Sequence, residues 1–598
     1  MHVSLAQFRP RKGQLAENLE RVRQIVESSV LEGVDLLVFP ETALTGYFLE
    51  GAVPELSVSP AEVVQRLGSP PLDAPDLVLG AYERGRAGAH NMAVYLTPGE
   101  EHWEVVHVHR KLFLPTYGVF DEARFVSPGL EARAFDTRWG RVGLLVCEDM
   151  HHSLVPTLLA LDGADLLVCL AASPARDFHA ESGLPGSLER WDVVGRAIAM
   201  EHGAHLLVCH LVGSEGGKIF PGGSVGYDPD GRILGRGPLF EEARVDFHLD
   251  PDASLRARTR VSGLSDLRIM LPHLVRGLDP REGEGGAEVE STARASRQRM
   301  SDDSSAPARA TARSVTPGPV GPDPEDGSVL ELDLALVERA LVGFLVDEVQ
   351  RRRGFEGVVV GLSGGVDSAV AAALAVQAFG AANVHGLLLP YATSSPESLE
   401  HGRLVGETFG IEVRTTPISA PVDAYVENDE PDMSDLRRGN VAARFRSLIL
   451  WDQSARLGVL PLGTGNKSER LLGYYTWHAD DSPPINPLGD LFKTQVWALA
   501  RHLGVPEVVV TKPPSADLVE GVDDEDELGV GYELADRILF WLLRGLAPAR
   551  LVAAGFPEQE VSLVSSRLEG THWKREQPTI AMISSTAIGE FYLRPVDL

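Results

Sequence analysis

A glycine-rich octapeptide in the second half of the chain has the residue types of a phosphate-binding loop. It lies between the apolar run 358–360 and an alanine-rich stretch typical of a helix, and its residues are Gly361, Leu362, Ser363, Gly364, Gly365, Val366, Asp367 and Ser368. A strand, a glycine-rich turn and a helix form the arrangement in which backbone N–H groups hold phosphate. No lysine follows in the order of a Walker A motif, and the alternative is an ordinary capped strand-to-helix turn. The carboxylate of Asp367 inside the loop indicates a metal ion that bridges it to phosphate.

Three residues of the first half have the types that together hydrolyse an amide: Glu41, Lys111 and Cys147. A thiolate attacks the carbonyl carbon, a carboxylate carries the proton, and a cation stabilises the oxyanion. Lysine beside cysteine is also expected to lower the pKa of the thiol. A cysteine that ends an apolar run is usually a buried small residue, and this is the prediction for Cys169 and Cys209.

A second strand-to-helix turn, residues 462–469, places Glu469 about one turn into the following helix. Two carboxylates near phosphates, Asp367 and Glu469, predict a Mg²⁺ site. Asn440 and Arg444 are four residues apart and share one helix face, although a solvated face explains that pair equally well. Further polar candidates in this half are Lys493, Ser515 and Lys574.

The composition excludes several classes of function. The chain has 598 residues, too many for one core, and its 44% hydrophobic and 23% charged residues are typical of a globular enzyme. A net charge of −30 argues against nucleic acid and anionic membranes as partners, because both need a basic surface. The three cysteines predict no disulfide framework, and neither a signal peptide nor a membrane span is visible. We therefore expect a cytoplasmic protein with small-molecule ligands.

The elements that must position these residues divide the chain into three parts. Residues 1–275 alternate short apolar strands with a few helices, which predicts a layered α/β sandwich. Residues 276–328 are rich in Gly, Pro, Ser and charged residues and predict a disordered linker. Residues 329–598 begin with a predicted helix, Leu332–Arg352, and continue in the βαβ order of a doubly wound parallel sheet, whose ligands bind beyond the carboxyl ends of the strands. The acidic run Asp523–Glu527 is predicted to be a solvated loop.

The motifs of residues 330–590 resemble, in order and spacing, those of the N-type ATP pyrophosphatases, and most closely the NAD synthetases. They include Gly-Leu-Ser-Gly-Gly-Val-Asp-Ser, Gly-Thr-Gly-Asn-Lys-Ser-Glu, Asn-x-x-Ala-Arg-x-Arg, Asp-Leu-Phe-Lys-Thr and Pro-Pro-Ser-Ala-Asp-Leu. The resemblance implies a Rossmann-like fold with Mg²⁺ at Asp367 and Glu469. It implies that ATP is held by the loop Gly361–Ser368 together with Thr464, Lys493 and Ser515. It also implies that deamido-NAD is bound by Asn440, Arg444, Glu469 and Lys574.

One stretch of the second half departs from the family pattern. After Gly473-Tyr474-Tyr475-Thr476, where many members have a lysine, this chain has Trp477. Either the ring of Trp477 stacks on the dinucleotide in place of that contact, or the loop is remodelled locally.

The motifs of residues 1–265 resemble those of the nitrilases, or carbon–nitrogen hydrolases: Phe-Pro-Glu-Thr-Ala-Leu-Thr-Gly-Tyr, Arg-Lys-Leu-Phe-Leu-Pro-Thr-Tyr and Val-Cys-Glu-Asp. The resemblance implies an αββα sandwich with Glu41 as base, Lys111 as oxyanion support and Cys147 as nucleophile. It implies a second glutamate, Glu122, and glutamine binding by Tyr117 and Ser173. The basic residue that often follows this serine is replaced here by His179.

Together the two resemblances imply glutamine-dependent NAD synthesis. Cys147 would release ammonia from glutamine, and the ammonia would pass through the protein to amidate deamido-NAD adenylated by ATP. The family also implies a homo-oligomer. One alternative is an NAD synthetase that uses ammonia only, with a structural first half. The other is an amidase with a regulatory nucleotide-binding module, which would hydrolyse amides without ATP turnover.

Overall fold

A computed structural model describes residues 1–86, 88–180, 182–260, 262–276, 321–514, 523–576 and 581. Its first half contains two six-stranded sheets, ordered β14-β1-β2-β3-β4-β5 and β13-β12-β9-β8-β7-β6, and a hairpin, β10-β11. These strands are β1 His2–Gln7, β2 Leu36–Val38, β3 Asp76–Arg84, β4 Ala89–Pro98, β5 Trp103–Arg110, β6 Ala134–Thr137, β7 Gly140–Val146, β8 Leu166–Ala171, β9 His205–His210, β10 Val212–Glu215, β11 Lys218–Pro221, β12 Val225–Tyr227, β13 Ile233–Arg236 and β14 Ala243–His248.

The two six-stranded sheets pack face to face, with helices on their outer faces. Val38 and Tyr95 of the first sheet share one core with Val146 and Leu167 of the second. β8 is buried along its whole length, which explains its unbroken apolar sequence. The helices are α1 Leu15–Leu31, α2 Val53–Leu56, α3 Pro60–Leu67, α4 Leu154–Leu161, α5 Gly186–His202, α6 Ala253–Arg260 and α7 Gly263–Arg276. This arrangement confirms the predicted αββα sandwich.

The second half is built on a four-stranded parallel sheet of order β17-β16-β15-β18. Its strands are β15 Val358–Gly361, β16 Val384–Leu388, β17 Glu412–Thr415 and β18 Leu460–Pro461. The described helices are α8 Leu334–Leu345, α9 Val366–Phe379, α10 Pro396–Phe409, α11 Ser419–Asp429, α12 Asp435–Leu457, α13 Lys467–Leu472, α14 Lys493–His502, α15 Glu507–Val510, α16 Asp524–Leu528, α17 Tyr532–Leu543, α18 Pro548–Ala553 and α19 Glu558–Gly570. The strand order reverses between β15 and β18, and this confirms the predicted doubly wound sheet.

Two local predictions differ from the structure. The predicted helix Leu332–Arg352 is α-helical only in α8 and continues as a π-helix, Val346–Arg351. The prediction of a solvated loop at Asp523–Glu527 is wrong, because these residues enter α16 and Asp524 is buried. The hydroxyl of Tyr474 hydrogen-bonds the carboxylates of both Asp524 and Glu527, a contact between distant segments that charge patterning cannot indicate.

The two halves of the chain contact one another directly. The N–H of Asp333 donates to the carbonyl of Phe178 at 3.0 Å, and Arg9 lies 3.7 Å from Asp347.

Most of the predicted disordered linker, residues 277–320, lies outside the described residues, so the linker and the domain boundaries stay predictions. Of the helices in the described part of the chain, none has the length and apolarity needed to cross a bilayer.

Candidate functional site

Four of the residues predicted for amide hydrolysis lie together in the first half, and three of them follow strands of the two packed sheets. Lys111 Nζ lies 2.8 Å from Glu41 Oε1 and 2.6 Å from Glu122 Oε2. Glu41 follows β2, Lys111 follows β5, and Cys147 follows β7. Glu41 and Lys111 have no exposed surface, and Cys147 and Glu122 are each 6% exposed. A lysine between two buried carboxylates keeps its positive charge where an oxyanion would form.

Two further polar side chains complete this buried cluster. Asn91 Nδ2 donates to Glu41 Oε1 at 2.7 Å and to Glu122 Oε1 at 2.6 Å. The hydroxyl of Tyr47 donates to Glu122 Oε2 at 3.0 Å. Sequence reasoning missed both residues. Tyr47 ends the Phe-Pro-Glu motif, and Asn91 is a polar residue in an apolar strand, which is the signal that could have indicated it.

The backbone and the burial of Cys147 set the state of its thiol. Its φ of 49° lies in the left-handed region, which is rare outside glycine and recurs at functional sites. Burial raises the pKa of the thiol well above its usual range, Glu41 raises it further, and Lys111 lowers it. Lys111 lowers the pKa of this thiol, as expected, but burial and the carboxylate of Glu41 outweigh it. Attack by Cys147 needs a proton acceptor.

Glu41 is placed to accept that proton. Its Oε2 atom is buried and has no hydrogen-bond partner among the described residues. Burial raises the pKa of Glu41 above its ordinary value, while Lys111 opposes the rise. A carboxylate with a raised pKa is a stronger base, which suits it to deprotonate a thiol.

A buried carboxylate two residues after the cysteine joins the segments that carry Lys111 and Cys147. Asp149 accepts hydrogen bonds from the N–H groups of Leu112 at 2.9 Å, Phe113 at 3.0 Å and Val146 at 3.1 Å. His109 Nε2 lies 2.9 Å from the same carboxylate. Asp149 thus fixes the spacing of the cation and the nucleophile, a role that sequence reasoning did not assign.

The residues predicted to bind glutamine are more exposed than this cluster. Tyr117 is 58% exposed, and its hydroxyl donates to Glu148 Oε2 at 2.7 Å. Burial and the Glu148 hydrogen bond raise the pKa of Tyr117 to about 12, and the charge of Arg190 opposes that rise. Ser173 is half-buried, whereas His179 is exposed and its backbone pairs with Leu332 of the second half.

In the second half, a cavity of about 620 Å³ lies beyond the carboxyl ends of β15 and β18. Twelve of the predicted site residues line it: Gly361, Leu362, Ser363, Gly365, Val366, Asp367, Ser368, Asn440, Thr464, Glu469, Lys493 and Lys574. Gly364 has a φ of +80°, and a Cβ there would clash with the carbonyl oxygen of Ser398. The loop therefore needs glycine at this position to reach its conformation.

A lysine lies between the two carboxylates that were predicted to hold a metal. Lys493 Nζ is 2.5 Å from Asp367 Oδ2 and 3.1 Å from Glu469 Oε1. Asn466 Nδ2 donates to Asp367 Oδ1 at 2.9 Å. Burial raises the pKa of Glu469 to about 7, although Lys493 lowers it. The described residues contain no group of three or more His, Cys, Asp or Glu side chains able to hold a metal, and two carboxylates with substrate phosphates are a usual donor set for Mg²⁺.

Comparison with known proteins identifies both halves. The carbon–nitrogen hydrolase family model matches residues 2–255, and the NAD synthase model matches residues 337–578. The chain is 31% identical over 618 residues to the glutamine-dependent NAD(+) synthetase of Thermotoga maritima, covering 100% of this chain and 98% of that protein. The chain belongs to the glutamine-dependent NAD synthetase family.

Other relatives match one half or the fold as a whole. The NH(3)-dependent NAD(+) synthetase of Chlorobaculum parvum is 48% identical over 268 residues, which are 45% of this chain and 95% of that protein. The solved structure of the glutamine-dependent NAD+ synthetase of Acinetobacter baumannii is 24% identical in sequence. It covers 99% of this chain and 97% of that chain, with a TM-score of 0.67. The glutamine-dependent NAD(+) synthetase of Cytophaga hutchinsonii is 15% identical. Its structure covers 96% of this chain and 93% of that chain, with a TM-score of 0.67. These two structures support the fold alone.

Some residues that resemble the NAD synthetase motifs lie away from the cavity. Arg444 is exposed, and its guanidinium donates to the carbonyls of Asn440 at 3.2 Å and Trp477 at 3.1 Å. Trp477 lies outside the cavity lining, with its ring 5.2 Å from that of Trp573. Ser515 lies outside the described residues. The roles of these residues in ligand binding stay predictions.

Four cations that sequence reasoning did not choose also line the cavity: Arg446, Arg470, Lys512 and Arg567. Arg446 Nε donates to the carbonyl of Leu389 at 3.1 Å, and Lys512 Nζ lies 2.6 Å from the hydroxyl of Ser398. Arg446 is the second arginine of the Asn-x-x-Ala-Arg-x-Arg motif, and Lys512 directly precedes the Pro-Pro-Ser-Ala-Asp-Leu motif. Their positions in the lining suit them to contact anionic substrates.

Proposed function

We propose that the chain forms NAD⁺ from deamido-NAD, ATP and glutamine, and releases AMP, pyrophosphate and glutamate. The observation that carries this proposal is the presence of two separate sites in one chain. One is the buried cluster of Glu41, Lys111 and Glu122 beside Cys147. The other is the cavity at the loop Gly361–Ser368. Each site has the groups for one half of a glutamine-driven amidation.

In the first site, Glu41 takes the thiol proton as Cys147 Sγ attacks the side-chain amide carbon of glutamine. Lys111 Nζ stabilises the oxyanion of the tetrahedral intermediate. Glu41 then returns the proton to the leaving nitrogen, so that ammonia departs and a γ-glutamyl thioester remains. Water deprotonated by Glu41 then hydrolyses the thioester. Glutamate is released, and the free thiol of Cys147 is restored.

In the second site, a carboxylate oxygen of deamido-NAD attacks the α-phosphorus of ATP, and pyrophosphate leaves. The backbone N–H groups of the loop Gly361–Ser368, together with Lys493, hold the departing phosphates. Ammonia then attacks the acyl carbon and loses a proton to solvent, and AMP leaves with the electron pair of the broken C–O bond. The adenylate is needed because a free carboxylate is a poor acyl donor.

The residues present fit a Mg²⁺ ion that is bound together with ATP. Asp367 and Glu469 supply two hard oxygen donors in the cavity lining, and Mg²⁺ commonly takes one or two carboxylates with substrate phosphates. Asp367 and Glu469 would hold the ion, which when bound neutralises phosphate charge. Lys493, which pairs with both carboxylates, offsets part of their negative charge.

Recognition of glutamine requires an anion for its ammonium group and a cation for its carboxylate. Glu148, hydrogen-bonded to Tyr117, provides the anion at the mouth of the first site. We assign the cation to Arg190, because α5 packs on the helical turn that carries Cys147 and Glu148. Trp191, its neighbour, lies 4.5 Å from the ring of His151 in that turn. Arg190 would supply the basic contact that many family members make from the position of His179.

The proposal is tested by the fate of the amide nitrogen. The chain is incubated with deamido-NAD, ATP, Mg²⁺ and glutamine carrying ¹⁵N in its amide, and the products are followed by mass spectrometry. We expect labelled NAD⁺ together with AMP, pyrophosphate and glutamate. Glutamate without AMP would instead favour the amidase with a regulatory module. NAD⁺ that forms when ammonium replaces glutamine, but not with glutamine itself, would favour the ammonia-only synthetase. Light scattering tests the homo-oligomer, which also stays a prediction.

A further inference from the structure

The hairpin of β10 and β11 lies between the amide-hydrolysing site and the second half of the chain. Its strands pair from Val212 with Pro221 to Glu215 with Lys218. The carbonyl of Ile219 accepts the N–H of Ala175 at 2.7 Å, two residues from the predicted glutamine ligand Ser173. The hairpin therefore contacts the walls of the first site directly.

Glu215, at the tip of β10, holds the segment that carries Tyr47. Its carboxylate accepts the N–H of Tyr47 at 3.0 Å and the N–H of Phe48 at 2.9 Å, and the residue is 5% exposed. Gly46 approaches so closely that a Cβ there would lie 2.9 Å from Glu215 Oε1. A buried carboxylate is costly unless hydrogen bonds or a counter-charge compensate its lost hydration. Here they fix the main chain from which the Tyr47 hydroxyl reaches Glu122.

A residue of the second half holds the hairpin in turn. Glu348 lies in the π-helix that precedes β15, and it is 3% exposed. Its Oε1 atom accepts the hydroxyl of Ser214 and the N–H of Gly217, each at 3.4 Å. Its other oxygen pairs with Arg353 at 2.7 Å. The two hairpin residues that Glu348 contacts lie on either side of Glu215.

We propose that Glu215 is a positioning residue for amide hydrolysis, and that Glu348 fixes the hairpin that carries it. The inference rests on the proposed function of the first site. Glu215 acts through Tyr47 on Glu122, which shares Lys111 with Glu41. Because Glu215 touches neither Tyr117 nor Ser173 in the described contacts, it governs the geometry of the reacting groups rather than the affinity for glutamine.

The test is glutamine hydrolysis by Glu215→Gln, measured as glutamate release with ATP and deamido-NAD present. We expect kcat to fall about 10- to 100-fold, with the KM for glutamine changed less than about twofold. NAD⁺ formation from ammonium should match the native rate, which a general loss of folding would not allow. A Tyr47→Phe variant removes the hydrogen bond from Tyr47 to Glu122 without altering a buried charge. It should show the same fall in kcat.

The contribution of the second half is tested by Glu348→Gln, with Glu356→Gln, an exposed glutamate near the same helix, as the matched control. We expect only Glu348→Gln to lower kcat for glutamine hydrolysis. A native kcat for glutamine hydrolysis in both Glu215→Gln and Tyr47→Phe would overturn the inference. So would a loss of ammonium-driven NAD⁺ formation in these variants as large as their loss of glutamine hydrolysis. Either result would leave the proposed function intact. A native kcat in Glu348→Gln would overturn the role of Glu348, and a native chain that releases no glutamate would overturn the proposed function as well.

Discussion

At Cys147, burial and the neighbouring Glu41 carboxylate both oppose ionisation, and Lys111 offsets them only in part. Because the pKa of the thiol is raised, the thiolate fraction should grow with pH and reach no plateau in the neutral range. We expect alkylation of Cys147 by iodoacetamide to rise about tenfold per pH unit from about pH 7 to about pH 9. Mass spectrometry gives the rate, and Cys147→Ser corrects for Cys169 and Cys209, which are fully buried as predicted. A rate that is already constant near pH 7 would mean that Lys111 dominates.

Arg190 is the exposed cation that we assign to the carboxylate of glutamine. Removing a charge-assisted contact should weaken binding with little effect on the reacting groups, so Arg190→Ala should raise the KM for glutamine about tenfold or more. The kcat should stay close to native. Steady-state glutamate release measures both constants, and Arg196→Ala, on the same helix and also exposed, is the control. If His179→Ala raises KM and Arg190→Ala does not, the assignment is wrong.

At the scale of elements, Asp536 on α17 joins α13 to α14. It accepts hydrogen bonds from Ser468 Oγ at 2.5 Å and from the N–H and hydroxyl of Thr494 at 3.0 and 2.8 Å. Ser468 and Thr494 are the neighbours of Glu469 and Lys493, so Asp536 helps to set the distance between Lys493 and Glu469.

The variant Asp536→Ala leaves these buried donors without an acceptor, at about 1–3 kcal/mol each. We expect Tm to fall by about 5 °C or more and NAD⁺ formation from ammonium to be largely lost. Scanning calorimetry and the ammonium assay measure the two effects. Asp526→Ala, an exposed aspartate, should behave like the native chain, and a native-like Asp536→Ala would contradict the role of this carboxylate.

Local patterns were enough to predict most elements and some residues of the two main clusters. Apolar runs with glycine-rich turns indicated β15 and its loop, and strand-end residues indicated Glu41, Lys111 and Cys147. Contacts between distant segments were not predictable, because they depend on how the sheets pack. Asn91, Tyr47 and Asp149 became visible only when the sheet of β2, β4 and β5 packed on the sheet of β7. For the same reason, Arg446 and Lys512 were missed as lining residues of the second cavity.

At the scale of the whole molecule, two reaction sites are carried by one acidic chain with a net charge of −30. The substrates of the second site are themselves anionic, so a few local cations such as Lys493 and Arg446 must hold them. The first site is a closed, buried cluster, whereas the second is a cavity of about 620 Å³. Because the two sites are separate, a mutation in the first site should abolish the use of glutamine without abolishing adenylation in the second.

The most direct test measures NAD⁺ formation with glutamine and then with ammonium in the native chain, Cys147→Ala and Asp367→Asn. Cys147→Ala should lose the glutamine-driven rate by about three orders of magnitude and keep the ammonium-driven rate within about twofold. Asp367→Asn should lose both rates, because it alters the site where ATP reacts. Equal loss with both nitrogen sources in Cys147→Ala, or no NAD⁺ from the native chain with either source, would contradict the account.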